Sequence, residues 1–317
     1  MTSMGRKDFN GAAAAAHVTL ARHGKSFAFA NRFLDRATAE KCARLYAFCR
    51  YVDDIADADV PSTSEARKQL RQIVRMLSLQ APPNEIVGDF LDMCREVDMS
   101  VDPAIELVRG VASDLGEVRI KTIGELHRYC YRVAGTVGIL MCGVLGVRDP
   151  RALPFAIDLG IAMQLTNIAR DVREDAVAGR RYIPESIIGN LAPMALQQAD
   201  ADTKPLIAWA VGWLLNEADR FYRSGEEGLA YLPPRARLAI RIAAHVYRQI
   251  GVRIRRSGYA VWRGRTIVSR SEKLSAAGSA LLAHVAASAA GEPRHSAALH
   301  NCLGNLFGTH DSLLTQG

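Results

Sequence analysis

An all-α, single-domain fold is the class the sequence predicts, and three observations carry it. Apolar residues recur at three- and four-residue spacing through long segments, too regularly for an alternation of strands and helices. No convincing set of alternating strands interrupts them. The breaks fall at turn-forming sites: PSTS at 61–64, Pro82-Pro83, Asp149-Pro150, Pro184 and Pro233-Pro234. Of the 317 residues 49% are hydrophobic and only 23% charged, which supplies a sizeable core and argues against wholesale disorder. There is no internal repeat of fixed period. The reading is one helical domain over residues 15–275, with 276–317, rich in Ala, Ser, Gly and His, as a loosely attached tail.

The N-terminal alanine run Ala12–Ala16 follows Asp8 and Asn10 and lacks a strong apolar centre, so it does not read as a secretory signal. No stretch reaches the roughly 20 apolar residues that cross a bilayer; the Ala-rich segment from Ser275 to Ala290 is broken by serines and His284. Six cysteines (Cys42, Cys49, Cys94, Cys130, Cys142, Cys302) are scattered, with no CxxC pair and no histidine cluster beside them. Reduced thiols in a cytoplasmic protein fit better than a disulfide framework or a zinc site. The net charge is +7, and only seven of the 40 basic residues are lysine. A GC-rich coding sequence gives such an arginine excess; so does the binding of anionic groups, whose oxygens match the planar guanidinium. The same charge permits contact with an acidic membrane surface.

The first helix of chemical interest ends in YAFCRYVDDIADA, residues 46–58. At about 100° per residue, Cys42, Leu45, Cys49, Val52 and Ala56 form an apolar stripe. Tyr46, Arg50, Asp53 and Asp57 form a second stripe beside it, at spacings of 4, 3 and 4. Asp54 points about 100° away from them. Two carboxylates at i and i+4 repel even on an exposed helix, and burial sharpens the cost unless a cation lies between them. A solvated acidic helix end with Arg50 paired to Asp53 is the plain alternative.

The second such helix lies in LGIAMQLTNIARDVREDAVAGRRYIP, residues 159–184. Gln164, Asn167, Asp171 and Asp175 recur at 3, 4 and 4. Ile157, Ile161, Leu165, Ile168 and Val172 flank them, with Ala162, Thr166 and Ala169 opposite. A helix that is apolar or small nearly all round is a buried one, so its polar stripe is expected to face a cavity. Carboxylates and amide oxygens without His or Cys suit hard cations, above all Mg²⁺ or Mn²⁺. Two facing acidic helices would hold several such ions around a diphosphate, with Arg50 and Arg170 on the remaining oxygens. Such a site stabilises a departing diphosphate. The carbocation left behind needs a dry pocket with aromatic faces, for which Phe27, Phe29, Phe33, Phe48 and Tyr129 are candidates, each also a plausible core residue.

These segments resemble those of the squalene and phytoene synthases, the head-to-head trans-isoprenyl diphosphate synthases. Five blocks in order carry the resemblance from about His23 to Leu274. They are HGKSFAFANRFL (23–34), YAFCRYVDDIAD (46–57), YCYRVAGTVG (129–138), QLTNIARDVREDAVAGRRYIP (164–184) and HVYRQIGVRIRRSGYAVWRGRTIVSRSEKL (245–274). The resemblance implies an isoprenoid synthase fold around a central apolar cavity. It implies that Asp53, Asp57, Asn167, Asp171 and Asp175 hold Mg²⁺ or Mn²⁺. By the same token His23, Lys25, Ser26, Tyr46, Arg50, Gln164, Arg170, Tyr247 and Arg265 would bind the diphosphates, and Tyr129 would lie near the rearranging carbons. Gly135 and Gly138 allow close approach either of a lipid chain or of a neighbouring helix.

The implied prenyltransferase reaction ionises one allylic diphosphate, whose C1 cation is captured by the double bond of a second to give a cyclopropylcarbinyl diphosphate. A second ionisation, rearrangement and proton loss then release a linear hydrocarbon. The ending VWRGRTIVSRSEKL and the compact second motif look most like bacterial phytoene synthases, which implies two geranylgeranyl diphosphates, phytoene as product in carotenoid biosynthesis, and no NADPH. The alternative within the family uses farnesyl diphosphate, giving presqualene diphosphate, dehydrosqualene or squalene. The HGKSF block and the NxxRDxxED form of the second motif argue against a terpene cyclase or a head-to-tail prenyltransferase. A non-catalytic scaffold would not need both polar stripes turned inward. Arg253, Arg255, Arg256, Arg263 and Arg265 have little aromatic interleaving, so no nucleic-acid partner is expected. The lipid substrate and product motivate peripheral membrane contact.

Overall fold

Sixteen labelled elements and several short turns build the described residues, 16, 18–22, 24–57, 62–286 and 293–309, of a computed structural model. In chain order the first are α1 (Lys25–Asn31), α2 (Arg36–Asp57), α3 (Thr63–Leu77), α4 (Glu85–Val97) and α5 (Asp102–Ala112). Then come β1 (Val118–Arg119), α6 (Ile123–Cys130), a π-helical turn over Tyr131–Gly135, and α7 (Thr136–Val144). After them follow α8 (Leu153–Arg170), α9 (Val172–Val177) and β2 (Arg180–Arg181). The rest are α10 (Glu185–Ile188), α11 (Pro193–Gln197), α12 (Thr203–Glu227), α13 (Pro234–Arg256) and α14 (Arg270–Ala286). Short polar caps and prolines set several starts. Ser62, Asn84 and Thr122 accept the N–H three residues on, and α5, α8, α11 and α13 have proline in the first turn.

The core has two lobes. One surrounds α8, whose Ile157, Ile161, Leu165 and Ile168 pack against Ile207, Val211, Leu214 and Phe221 of α12. The other gathers α2 to α5 and α7 around Phe48, Phe90, Leu70 and Leu140. The helix expected to be buried all round is so: its Ile, Leu, Ala and Thr flanks are at most 3% exposed. It differs from the sequence reading in two ways. The stripe Gln164–Asn167–Asp171–Asp175 is not on one unbroken helix, which breaks at Asp171 (φ −101°, ψ 18°), although Asp175 still donates its N–H to the Asp171 carbonyl. Moreover Pro150–Arg170, 21 residues, is long and apolar enough to cross a membrane by length and composition, where no such stretch was expected. Two thirds of it is packed inside the protein, the condition of a core helix.

Glycine lets α7 press against α8. A Cβ on Gly138 would stand 2.2 Å from the Ala156 carbonyl oxygen, and one on Gly160 would stand 2.3 Å from that of Ala134. Of the two uses open to Gly135 and Gly138, helix packing is therefore met by both, the Cβ of Gly135 falling 3.2 Å from Ile157; Gly138 also lines the cavity described below. The only strands among the described residues are β1 and β2, a parallel pair of two residues each. Residues 293–309 return to α8 and the π-helical turn, where Tyr131 Oη donates to the Phe307 carbonyl at 2.8 Å. All six cysteines are free thiols.

Candidate active site

Two adjoining spaces meet where the acidic helices converge. The first, about 190 Å³, is polar, and its wall includes Asp53 and Asp57 of α2, Asp171 and Asp175 around the α8–α9 break, Gln164 and Asn167 of α8, and Tyr129 of α6. Seven residues singled out from spacing or resemblance therefore share one wall. The second, about 340 Å³, is mostly apolar, lined by residues such as Phe27, Leu45, Val137, Met141, Leu159, Met163 and Ile240. Asp53, Gln164 and Asn167 border both spaces, so a polar group in the first can be continuous with an apolar chain in the second.

The electrostatics of the polar space are those of anions lacking enough cations. Burial, then repulsion from Asp57, pushes the Asp53 carboxyl up to about 7. Burial, then repulsion from Asp171, raises that of Asp175 to about 8. The charge of Arg50 relieves Asp53 only in part, because its guanidinium pairs with Asp54 on the exposed side of α2. The plain alternative of an Arg50–Asp53 pair is therefore not what forms. Only Asp171 is well compensated: Arg170 Nε donates to it at 2.8 Å and Arg265 Nε lies 3.0 Å away. Oxygen donors crowded until two of them resist ionisation, with no His or Cys among them, suit a hard divalent cation, which would restore both carboxylates to the charged form. The residues present fit such an ion.

Other expected residues fall around this centre. Tyr247 Oη donates to Asn167 Oδ1 at 2.9 Å and orients the amide. Tyr46, Phe27 and Tyr247 form an aromatic group at the border, with ring centroids 6.4 Å (Phe27–Tyr46) and 5.6 Å (Phe27–Tyr247) apart. Ser26 lies on α1, half-buried. His23 and the Lys25 side chain fall outside the described residues. The aromatic candidates divide. Phe27 and Tyr129 reach the two spaces, but Phe48 is fully buried in a stack on Phe90, ring centroids 4.0 Å apart. Phe29 packs on α13 and α14 with its edge against Phe33. In α2 the buried residues include Cys42, Leu45, Phe48, Val52 and Ile55, while Cys49 lines the apolar space, as Cys42 and Leu45 do, and Ala56 the polar one.

Three residues of the polar wall were not anticipated: Asp114, Arg180 and Tyr182. Asp114 Oδ2 accepts from Tyr129 at 3.0 Å and its Oδ1 from Tyr182 at 2.7 Å, and the two rings stack at 4.8 Å. Burial raises the Asp114 carboxyl to about 6 despite both donors, and burial also pushes the Tyr129 hydroxyl well up, so it remains a donor. Arg180 reaches from the end of the second acidic segment to the first, its Nη2 3.4 Å from the Ala56 carbonyl and its Nη1 3.5 Å from Asp57. The β1–β2 pairing, which sets Val118 beside Arg180 and Arg119 beside Arg181, carries the Arg180–Tyr182 segment to the turn after α5, where Tyr182 meets Asp114. Arg180 and Tyr182 stand in the GRRYIP end of the second block; Asp114 carries no spacing signal at all.

Comparison with known proteins accords with this geometry. The squalene/phytoene synthase family profile matches residues 20–272. The chain is 37% identical over 277 residues to the 15-cis-phytoene synthase of Enterobacter agglomerans, which covers 83% of this chain and 94% of that protein. It is 35% identical over 269 residues to the phytoene synthase of Pseudescherichia vulneris, covering 81% and 87%. Among solved structures, a dehydrosqualene synthase in complex with a ligand superposes with a TM-score of 0.78 at 27% identity, covering 88% of this chain and 99% of that one.

Proposed function

The chain belongs to the squalene/phytoene synthase family, and on that premise we propose that it condenses two geranylgeranyl diphosphates head to head, through a cyclopropylcarbinyl diphosphate, to phytoene in carotenoid biosynthesis. One observation carries the reading: acid-rich ends of two distant helices share a polar wall that opens into an apolar cavity. The family is divalent-metal-dependent, and Asp53, Asp57, Asn167, Asp171 and Asp175 would hold the ions, Mg²⁺ or Mn²⁺. When bound, such ions neutralise the diphosphate and the charge that develops on the leaving oxygen.

The chain's own residues supply the rest. Arg170 and Arg265, both on Asp171, stand where further diphosphate oxygens would arrive, and Arg50 and Arg180 flank the other acidic end. Tyr247 holds the Asn167 side chain so that its oxygen keeps one direction. Tyr46 and Gln164 line the apolar space, Gln164 also the polar one; Ser26, with His23 and Lys25, belongs to the substrate block by resemblance. Tyr129, oriented by Asp114, presents its ring and hydroxyl beside the reacting carbons. The aliphatic walls around Met141, Leu159 and Met163 exclude water, which would otherwise quench a cation before it rearranges. Residues 15–275 are the catalytic unit in this reading, acting in the cytoplasm with peripheral access to a lipid surface.

The farnesyl alternative has its own support in the superposition on a dehydrosqualene synthase. Incubation of the purified protein with Mg²⁺ and either diphosphate, with and without NADPH, followed by mass analysis of the extracted lipids, separates the two. A C40 hydrocarbon formed without NADPH is the expected result; C30 products, or a need for NADPH, would move the assignment to the farnesyl branch.

A further inference from the structure

Well away from the acidic wall, α8 carries another buried acid. Asp158 lies 13 residues before Asp171, about 20 Å along a helix axis. Its side chain is 0% exposed, and two histidines from the end of the chain converge on it. His295 Nε2 is 2.8 Å from Asp158 Oδ2 and His300 Nε2 is 2.9 Å from Oδ1. Both imidazoles are themselves buried, at 6% and 1% exposure. Ser224 of α12 adds an oxygen 2.5 Å from Oδ2. The ligating atoms all lie within 4.8 Å of one another.

We propose that Asp158, His295 and His300 form a second metal site, of the zinc class, that ties residues 293–309 to the core helix. Two imidazoles and one carboxylate select a borderline transition metal rather than the hard cation suited to the acidic wall. Four residues separate His295 from His300, inside the three-to-five spacing of histidine pairs that grip zinc. Around a tetrahedral ion with bonds of about 2.0–2.1 Å, ligand atoms stand about 3.3 Å apart. The present contacts of 2.8 and 2.9 Å fall on different carboxylate oxygens, so an ion held by one of them would be reached by small side-chain shifts, the hydrogen-bonded contacts opening and the wider separations, within 4.8 Å, closing. Phe155, edge-on to His295 with ring centroids 5.2 Å apart, closes one side of the site, and Ser224 or a water can complete the shell. The tethered segment supports the cavity wall, since Arg128 donates to the Cys302 carbonyl and Tyr131 to that of Phe307.

The test uses the full chain, stripped of metal and then held in excess Mg²⁺ to occupy the oxygen-lined site, with Co²⁺ titrated as an optical probe. One Co²⁺ per chain with the visible bands of a low-coordinate nitrogen–oxygen site is expected. His295→Gln and His300→Gln keep an N–H for Asp158 but lose the imidazole, and should weaken Co²⁺ tenfold or more, whereas Asp53→Asn should leave the bands unchanged. Absence of those bands in the wild-type chain, or bands indifferent to both histidine variants, overturns the site and leaves a hydrogen-bonded triad only. Should the variants fail to fold, X-ray absorption of the zinc-loaded wild-type chain decides: two imidazoles at about 2.0–2.1 Å support the site, and an all-oxygen shell refutes it.

Discussion

Helix α8 carries a buried acid in its N-terminal half, and the α8–α9 break just beyond its C-terminus carries half-buried ones; the two regions treat them oppositely. In the N-terminal half of α8 Asp158 meets two imidazoles and a hydroxyl; burial pushes its carboxyl up, but the hydrogen bonds of His295 and His300 outweigh that and hold it below the usual range. On α9, just past the break, Asp175 is pushed up to about 8 by burial and then by Asp171, Asp114 and Glu174, against Arg180. Asp53 across the wall shares that condition. The molecule thus offers a satisfied acid where the fold is pinned and unsatisfied acids where a cationic ligand is expected. Burial alone does not distinguish the two; the partners do.

Removing either acidic partner should break this contrast most severely. Asp53→Asn or Asp171→Asn is expected to lower turnover by about 100- to 1000-fold or more, while circular dichroism stays helical; near-normal turnover in both would contradict the assignment of the wall. At the other end Asp158→Ala leaves two buried histidines without their acceptor. It should cost about 3–5 kcal/mol in a denaturant titration, whatever its effect on turnover.

A smaller effect sharpens the comparison through pH. A carboxyl raised in the folded state binds its proton more tightly there than in the unfolded chain. Between the unfolded value near 4 and the folded values near 7 and 8, the native state therefore holds more protons, and stability falls as pH rises. Metal-free protein should be less stable at pH 8 than at pH 5 on this account. Asp175→Asn should recover about 1–2 kcal/mol at pH 8 in EDTA and nothing at pH 4. Urea titrations at the three pH values check this, and a pH-independent difference would speak against the raised carboxyl. Least of all should change with Asp54→Asn, since that acid is over half exposed and paired only with Arg50; stability should move by less than about 0.5 kcal/mol and turnover should stay near that of the wild type.

What was legible in the sequence was what helical periodicity encodes. Gln164, Asn167, Asp171 and Asp175 share a face by spacing, and the protein puts all four on one wall. The break at Asp171 did not disturb that, because backbone hydrogen bonding carries on through it. Periodicity also says which residues share a face but not what the face meets. Spacing therefore left Phe48 between cavity aromatic and core, which its stack on Phe90 decides for core, and it put Cys49 in an apolar stripe without saying that it lines the cavity. Asp114 was illegible for a different reason: two residues of parallel strand bring it to Tyr182, 68 positions away, and no local pattern announces so short a pairing. The histidines of the Asp158 cluster lie 137 and 142 residues beyond it, in a segment whose composition reads as a tail.

The central claim is that the two acidic segments act together on a diphosphate through shared divalent ions. Calorimetric binding of an unreactive thiodiphosphate analogue of the prenyl substrate, measured across Mg²⁺ concentrations in the wild-type chain and in Asp53→Asn and Asp171→Asn, tests it most directly. Affinity should climb with Mg²⁺ in the wild type, and each single substitution should flatten that dependence. Binding that is indifferent to Mg²⁺, or a dependence that survives both substitutions, would contradict it.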